Sequence, residues 1–138
     1  MTTPTSGEEW IVEALGCDPT RLADPVALRA LFAAMVSELS LHPVGEPLWH
    51  QFPSPLATAD GDAGEVGGIT GMLMLSESHL TIHTFPEHAS ACLNLFCCTP
   101  RAGWEWPVRL RELLGAQEVR VRHVLREYGN VQSPVSHP

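Results

Sequence analysis

The sequence predicts an α+β protein: a two-layer α/β sandwich with a mainly antiparallel sheet and two helices on one of its faces. Three observations predict this class. The chain has 138 residues and is 44% apolar, which lets one domain, spanning residues 1–138, bury a core. Strand-like and helical segments follow in the approximate order β-α-β-β-β-β-α-β. With two helices against several strands, a helical layer on one sheet face is the expected arrangement.

The first part of the chain predicts a strand and a helix. The apolar run Trp10–Leu15 ends at a turn cluster, Gly16–Pro19, as strands commonly do. Asp24 and Pro25 then supply a helix N-cap and a proline for the first helical position. The apolar residues that follow at the spacing of an amphipathic helix are Leu28, Leu31, Phe32, Met35, Val36 and Leu39.

The middle of the chain predicts four strands and one long loop. Leu48–Phe52 favours a strand, whereas Pro53–Gly68 is rich in Pro, Gly, Ala and Asp and indicates a surface loop. Ile69–Leu75 is mostly apolar, as in a strand buried on both faces. Ser78–Phe85 and Ala91–Cys98 both alternate, so each is expected to present one face to the core and one away from it.

The last part of the chain predicts a helix and a strand. Pro107 opens the helix and Gly115 ends it. Val119 and Val121 indicate a final strand, and the tail from Tyr128 is expected to be disordered.

Two helices on one side leave the other sheet face bare. The alternation places His79 and His83 on that bare face, and Cys98 at the end of a neighbouring strand. A sheet face that mixes apolar and polar residues is a natural place for a dimer contact and for a site.

Composition excludes several classes of function. The formal net charge is −8, and the eight basic residues are scattered, so neither nucleic acid nor an anionic membrane surface is an expected partner. No apolar run reaches the roughly 20 residues of a membrane span, and the first residues lack a signal-peptide pattern. We therefore expect a cytoplasmic protein whose four cysteines are reduced thiols. The chain has no lysine, so it cannot bind pyridoxal phosphate or a substrate carbonyl through a lysine Schiff base.

The segment from Leu75 to Glu87 is the one that suggests chemistry, and it allows three interpretations. Its serines and histidines could be purely structural. A zinc site could use its histidines together with Cys92, but His79 and His83, four residues apart on a strand, would be roughly 13 Å apart. The candidate zinc ligands are His79, His83, His88 and Cys92.

The third interpretation is covalent self-processing. A serine hydroxyl can attack the preceding carbonyl if the peptide is strained and a donor stabilises the oxyanion. A base then removes the α-proton, elimination and hydrolysis follow, and a pyruvoyl group remains. Its keto carbon can form a Schiff base with a substrate amine, and an acid must return a proton after decarboxylation. The residues that supply a serine, a histidine, a hydroxyl and a thiol are Ser78, His83, Thr70 and Cys98.

The segment Ser76–Glu87 (SESHLTIHTFPE) resembles the processing segment of the prokaryotic S-adenosylmethionine decarboxylase proenzymes, which are pyruvoyl-dependent. The order and spacing of Ser78, His83 and Cys98 match that family, as does a hydroxyl residue at Thr70. The similarity extends from about Trp10 through most of the chain. The resemblance implies a two-layer α/β fold whose protomers pair sheet to sheet as a homodimer, with active sites near the interface.

The resemblance also implies roles for single residues. Self-cleavage between Glu77 and Ser78 would give fragments 1–77 and 78–138, and Ser78 would become the pyruvoyl group. His83 would assist processing by removing the α-proton, and Thr70 would take the position of the family's processing serine. Cys98 would protonate the decarboxylated carbon. The two residues matched to substrate binding are Phe52, which would stack on adenine, and Glu87, which would bind the ribose hydroxyls.

Several positions depart from the family pattern. Thr70 stands in place of serine, Asn94 in place of a usual aspartate, and Glu8-Glu9-Trp10 where a Gly-basic-His start is typical. The loop Pro53–Gly67 is also longer than usual. These changes leave S-adenosylmethionine as the expected small-molecule substrate and polyamine synthesis as the pathway. The alternatives are ornithine or arginine as the substrate, or a non-enzymatic regulatory relative.

Overall fold

The computed structural model describes residues 5–55 and 66–129 of the chain. Within these ranges lie six strands and three α-helices, with one turn of 3₁₀ helix at Pro86–His88. The strands are β1 (Ser6–Leu15), β2 (Leu48–Pro53), β3 (Val66–Leu75), β4 (Ser78–Phe85), β5 (Ser90–Cys97) and β6 (Glu118–Glu127). The helices are α1 (Pro19–Leu22), α2 (Pro25–Glu38) and α3 (Trp106–Leu114).

The six strands form one sheet in the order β2-β3-β4-β5-β1-β6, and every neighbouring pair is antiparallel. Short connections join β3 to β4 and β4 to β5, which therefore form a meander. The first strand, β1, is inserted between β5 and β6. The predicted fold class is confirmed, since one antiparallel sheet carries the two longer helices on a single face.

The core lies between that sheet face and the helices α2 and α3. On β4, Leu80 and Ile82 are fully buried while His83 and Phe85 are exposed, as the alternation predicts. Asp24 caps α2 by accepting a hydrogen bond from the backbone N–H of Val26. Fully or almost fully buried core residues include Val12, Leu28, Leu31, Met35, Ile69, Leu80, Ile82, Leu95, Leu110 and Leu114.

Some elements differ from the sequence-based expectations. β1 begins at Ser6, four residues before the expected start, because its polar first residues pair with β5 and β6. The short helix α1 was not predicted, although Asp18 caps it and Pro19 occupies its first turn. β3 begins at Val66, and residues 56–65 of the expected long loop lie outside the described residues.

The chain end also differs in part. Tyr128, where the tail was expected to be disordered, is described, and its hydroxyl donates a hydrogen bond to the Cys98 carbonyl oxygen at 2.7 Å. The rest of that predicted tail, from residue 130 onward, lies outside the described residues. Within the parts that are described, no helix is long and apolar enough to cross a membrane.

The sheet face opposite the helices is open. Large apolar side chains stand on it in the β2–β4 region, together with the polar ones that the sequence placed there. Leu48 is 73% exposed, Met74 66% and Met72 50%. The expectation that Ile69–Leu75 is buried on both faces is therefore wrong, because β3 alternates between a buried and an exposed face. Leu48 and Met72 lie side by side, since they pair across β2 and β3.

Candidate active site

The predicted cleavage bond lies at a tight hairpin turn. Leu75, the last residue of β3, pairs with Ser78, the first of β4, so only Ser76 and Glu77 form the connection. Ser78 has a backbone φ of 149°, a region that is essentially restricted to glycine. A conformation of this kind costs about 1–3 kcal/mol and persists only when its surroundings enforce it. The strain therefore falls on the residue predicted to be the nucleophile.

The carbonyl oxygen of Glu77, on the acyl side of the same bond, accepts a hydrogen bond from the residue that follows β5. The backbone N–H of Cys98 donates to it at 2.7 Å. A backbone N–H at this distance is the type of donor that stabilises an oxyanion when a nucleophile attacks the carbonyl carbon. The arrangement follows from pairing of β4 with β5, where Ser78 lies opposite Cys97.

The Glu77 side chain is buried and held by ionic and hydrogen-bond contacts. Only 6% of the residue is exposed. Its carboxylate accepts hydrogen bonds from the backbone N–H of His42 at 3.0 Å, from His42 Nδ1, and from the Arg101 guanidinium at 2.6 Å. Burial raises the pKa of this carboxyl, but the His42 hydrogen bonds and the Arg101 charge outweigh it, and the pKa lies below its ordinary value. Glu77 is thus a charged carboxylate inside the protein.

The two adjacent cysteines differ in access. Cys97 is fully buried in the core, and burial raises the pKa of its thiol to about 11. Cys98 is partly exposed and follows the end of β5, next to the Glu77 carbonyl. Of the pair, Cys98 is the thiol that a small molecule near Ser78 can reach. We call Glu77, Ser78 and Cys98 together the cleavage end of the open face.

The other predicted residues gather at the opposite end of β4. Thr70 Oγ1 lies 3.0 Å from His83 Nδ1, joined by a hydrogen bond across β3 and β4. Both line a cavity of about 360 Å³, as do Phe52 and Glu87. This volume is in the range of small-molecule sites. We call these four residues the pocket end.

A glycine allows the pocket end to be assembled closely. A Cβ atom at Gly68 would collide with the carbonyl oxygen of Thr84 on the neighbouring strand. The Thr84 hydroxyl, buried on the helix side, accepts from the N–H of Ile69 and donates to the carbonyl of Leu22. These contacts fix β3 against β4 beside Thr70 and His83.

The structure does not bring the two ends together within one chain. In the pairing of β4 with β5, Ser78 lies opposite Cys97 and His83 opposite Cys92. Five residues along a strand correspond to roughly 16 Å. His83 is therefore too far from Ser78 of its own chain to take a proton from it.

The histidines proposed as zinc ligands have separate partners. His79 Nε2 lies 3.1 Å from Asn94 Oδ1, whereas His83 bonds to Thr70. Residues 5–55 and 66–129 contain no group of three or more His, Cys, Asp or Glu side chains placed to hold a metal ion.

Asn94 and Glu9, both expected from the resemblance to depart from the family pattern, contact each other. The Asn94 amide donates to the Glu9 carboxylate at 2.7 Å, while its oxygen faces His79. This hydrogen bond helps to lower the pKa of Glu9 below its ordinary value. Aspartate at position 94 would place a second carboxylate against Glu9 with no proton to donate, so glutamate at 9 and asparagine at 94 suit each other.

Sequence reasoning missed three residues near the cleavage bond: His42, Arg101 and Tyr128. His42 precedes Ser76 by 34 positions in the numbering, yet its backbone oxygen accepts from the Ser76 N–H at 2.8 Å. The only available signal was the position of Arg101, a basic residue three places after Cys98 in a chain with just eight basic residues.

Comparison with known proteins gives a consistent result. The family model described as S-adenosylmethionine decarboxylase matches residues 8–127. The S-adenosylmethionine decarboxylase proenzyme of Pyrococcus furiosus is 34% identical over 71% of this chain and 61% of its own length. The proenzyme of Pyrococcus abyssi is 30% identical over 88% of this chain and 79% of its own length.

Among solved structures, the adenosylmethionine decarboxylase of Aquifex aeolicus has the same fold. It matches with a TM-score of 0.62 at 21% identity, covering 95% of this chain and 97% of that one. The family match extends over both the cleavage end and strands β1 and β6, and so includes every element of the described sheet. The chain belongs to the S-adenosylmethionine decarboxylase family.

Proposed function

We propose that this protein is a proenzyme that cleaves itself between Glu77 and Ser78, converts Ser78 into a pyruvoyl group, and decarboxylates S-adenosylmethionine. The product would be the aminopropyl donor for spermidine synthesis. The observation that carries the proposal is the strained backbone of Ser78 beside a Glu77 carbonyl that accepts the Cys98 N–H. The proenzyme relatives support it.

Self-cleavage would begin when Ser78 Oγ attacks the carbonyl carbon of Glu77. The C–N bond breaks as a C–O ester bond forms, the proton of the hydroxyl passes to the Ser78 nitrogen, and the Cys98 N–H stabilises the oxyanion. His83 of the partner subunit would then take the α-proton of Ser78, since His83 of the same chain lies roughly 16 Å away. The Cβ–O bond breaks, Glu77 leaves with a free carboxylate, and hydrolysis releases ammonia. Fragments 1–77 and 78–138 result.

The residues at the cleavage end fit a pyruvoyl group at position 78. Ser78 is partly exposed on a rigid strand, and the accessible thiol of Cys98 is adjacent. The pyruvoyl group would supply an electrophilic keto carbon that binds a substrate amine and accepts electrons during decarboxylation. Cys98 would donate the proton that replaces the carboxylate on the substrate carbon.

The pocket end supports a nucleoside-containing substrate. Phe52 presents an exposed aromatic ring on which adenine would stack, and Glu87 presents carboxylate oxygens for the ribose hydroxyls. Ornithine and arginine have neither an aromatic ring nor a diol. S-adenosylmethionine is therefore the substrate that the pocket favours.

A homodimer would unite the two ends. If two open faces pack about a twofold axis that crosses β4, the cleavage end of one protomer meets the pocket end of its partner. Ser78 and Cys98 would then receive Thr70 and His83 of the partner subunit, which removes the separation of roughly 16 Å. The exposed Leu48, Met72 and Met74 supply apolar surface for this contact. Each dimer would contain two identical shared sites.

Intact-mass measurement of the purified protein tests the proposal. We expect masses for 1–77 and 78–138, the second with a blocked amino terminus, and Ser78→Ala should abolish both. Carbon dioxide release from S-adenosylmethionine, ornithine and arginine, assayed in parallel, tests the substrate. An uncleaved, inert chain that still binds ligand would favour the regulatory relative instead. We place the enzyme in the cytoplasm, where the four free thiols of the chain are stable.

A further inference from the structure

The contacts of the Glu77 side chain point to a function of their own. We propose that Arg101, together with His42, positions the Glu77–Ser78 bond for self-cleavage by holding the Glu77 carboxylate. Arg101 is a positioning residue here, because its guanidinium bonds to the Glu77 carboxylate and not to the reacting atoms. The inference depends on the proposed self-cleavage.

Both residues of the turn, Ser76 and Glu77, are held by hydrogen bonds to His42. The chain after α2 runs beside the end of β3, where Pro43 bridges to Leu75. At this point the His42 carbonyl accepts from the Ser76 N–H at 2.8 Å, and the His42 N–H donates to a carboxylate oxygen of Glu77 at 3.0 Å. His42 therefore fixes the turn mainly through its backbone.

Arg101 binds the same carboxylate, at the oxygen that the His42 ring also contacts. Its guanidinium lies 2.6 Å from Glu77 Oε2, and its backbone N–H is anchored by the Glu8 carboxylate at 2.9 Å. The Arg101 side chain is 19% exposed, so this ion pair is largely shielded from water. Charge-assisted hydrogen bonds in such surroundings are shorter and stronger than neutral ones.

Holding this side chain constrains the reacting atoms. Glu77 contributes the carbonyl carbon that Ser78 must attack, and its carbonyl oxygen must stay aligned with the Cys98 N–H. Fixing both the side chain and the carbonyl leaves the residue little freedom to rotate away from attack. A strained φ at Ser78 also survives only where neighbouring groups are held firmly. Misplacement of a reacting group by about 1 Å can cost about 100-fold in rate.

Burial of Glu77 does not by itself require this interpretation, because the ion pair could serve stability alone. The two functions differ in what they predict. A stabilising pair affects unfolding, whereas a positioning pair affects the rate at which the folded chain forms the ester. The test must therefore measure both quantities on the same protein.

The experiment follows conversion of newly made full-length chain into fragments 1–77 and 78–138 by intact mass. We expect Arg101→Ala to slow conversion about 10- to 100-fold, and Arg101→Lys to restore part of the rate. Arg109→Ala is the matched control, because Arg109 also pairs with a carboxylate, Glu38, at 2.6 Å and lies on α3 away from the bond. It should cleave at the wild-type rate. The Tm of both variants is measured alongside, since the more exposed Arg109–Glu38 pair is expected to stabilise the fold less.

Two further measurements identify the step that Arg101 affects and test whether it acts through Glu77. Neutral hydroxylamine cuts esters, so uncleaved Arg101→Ala protein should resist it because its ester has not formed. The positive control is the His83→Ala chain, which should stop at the ester because it lacks the base that removes the α-proton. In a double-mutant cycle, Arg101→Ala should slow cleavage less in a Glu77→Gln background than in the wild type.

The outcomes separate this inference from the proposed function. If the wild type cleaves and Arg101→Ala cleaves equally fast, or if Arg109→Ala is equally slow, the positioning role is wrong and self-cleavage stands. Hydroxylamine cutting of Arg101→Ala at position 77 would also overturn it. If the wild-type chain itself remains whole while it turns over substrate, the proposed function fails.

Discussion

The cleavage end and the pocket end lie at opposite ends of β4 and are built differently. At the cleavage end, Glu77 is 6% exposed and its carboxylate is bound by charged and backbone donors. At the pocket end, Phe52 is 49% exposed and the Thr70–His83 pair faces solvent. The cleavage end is held rigidly for a reaction of the chain itself, whereas the pocket end leaves space for a substrate. The predictions below test whether this division is correct.

The largest effect is expected at Cys98. Cys98→Ala keeps the backbone N–H that faces the Glu77 carbonyl, so the chain should still cleave. It removes the proposed acid, and general acids contribute about 10²- to 10⁴-fold, so the turnover per pyruvoyl group should fall by about that factor. Fragment masses and carbon dioxide release measure the two effects separately. Cys97→Ser, next in sequence but directed into the core, is the comparison variant; wild-type turnover by Cys98→Ala would refute the assignment.

Complementation tests whether the two ends meet across a dimer. Ser78→Ala and His83→Ala chains should each fail to cleave alone. In a heterodimer, one site combines the intact Ser78 of one chain with the intact His83 of the other, so about half of the His83→Ala chains should cleave when equal amounts are co-expressed.

The matched control co-expresses His83→Ala with the double variant Ser78→Ala/His83→Ala, which offers no intact histidine. It should give no cleavage. If His83→Ala remains whole with either partner, the site is not shared between subunits, and the separation of the two ends needs another explanation.

A smaller effect is expected for substrate stacking. Phe52→Ala should raise KM for S-adenosylmethionine about tenfold, because aromatic–base stacking contributes about 1–3 kcal/mol. Phe52→Tyr should retain most of the affinity. Self-cleavage should be unchanged in both, since no substrate is involved; slowed cleavage would mean that the pocket end does more than bind.

The smallest effect concerns stability against pH at the cleavage end. The pKa of Glu77 lies below 4.5 in the folded chain, so its charge stabilises the fold above about pH 4.5, and this stability is lost as the pH falls through the folded pKa. In the uncleavable Ser78→Ala background, Glu77→Gln should lower the Tm clearly at about pH 6 and less at about pH 3.5. An equal difference at both pH values would show that the carboxylate charge contributes nothing.

Much of the fold could be predicted because it depends on local periodicity. The alternation of Leu80 and Ile82 with His79 and His83 fixed which face of β4 is buried, and the structure confirms it. Short or polar elements were harder: α1 has four residues, and the first part of β1 pairs through its backbone without an apolar pattern. Backbone pairing leaves little trace in side-chain composition.

The candidate site was predictable only in part, for a related reason. The residue types and spacing from Ser78 to Cys98 indicated the chemistry, and their roles stay predictions. The Glu77 carboxylate is bound by His42, 35 positions before it, and by Arg101, 24 positions after it. Only the folded sheet brings these residues together. The distance between Ser78 and His83 likewise depends on β4 being a straight strand. The spacing of residues in the sequence does not predict the dimer that would bring Ser78 close to His83 of the partner subunit.

The strand order has one more consequence. Residues 1–77 would supply β1, β2 and β3, and residues 78–138 would supply β4, β5 and β6. Since β1 lies between β5 and β6, the two polypeptides would be woven through each other, with three separate strand boundaries between them. They could not part without unfolding, and the donor that faces the broken bond is in place only once β5 has joined β4. Cleavage would thus follow folding, and the two interlaced chains would remain together as one folded unit.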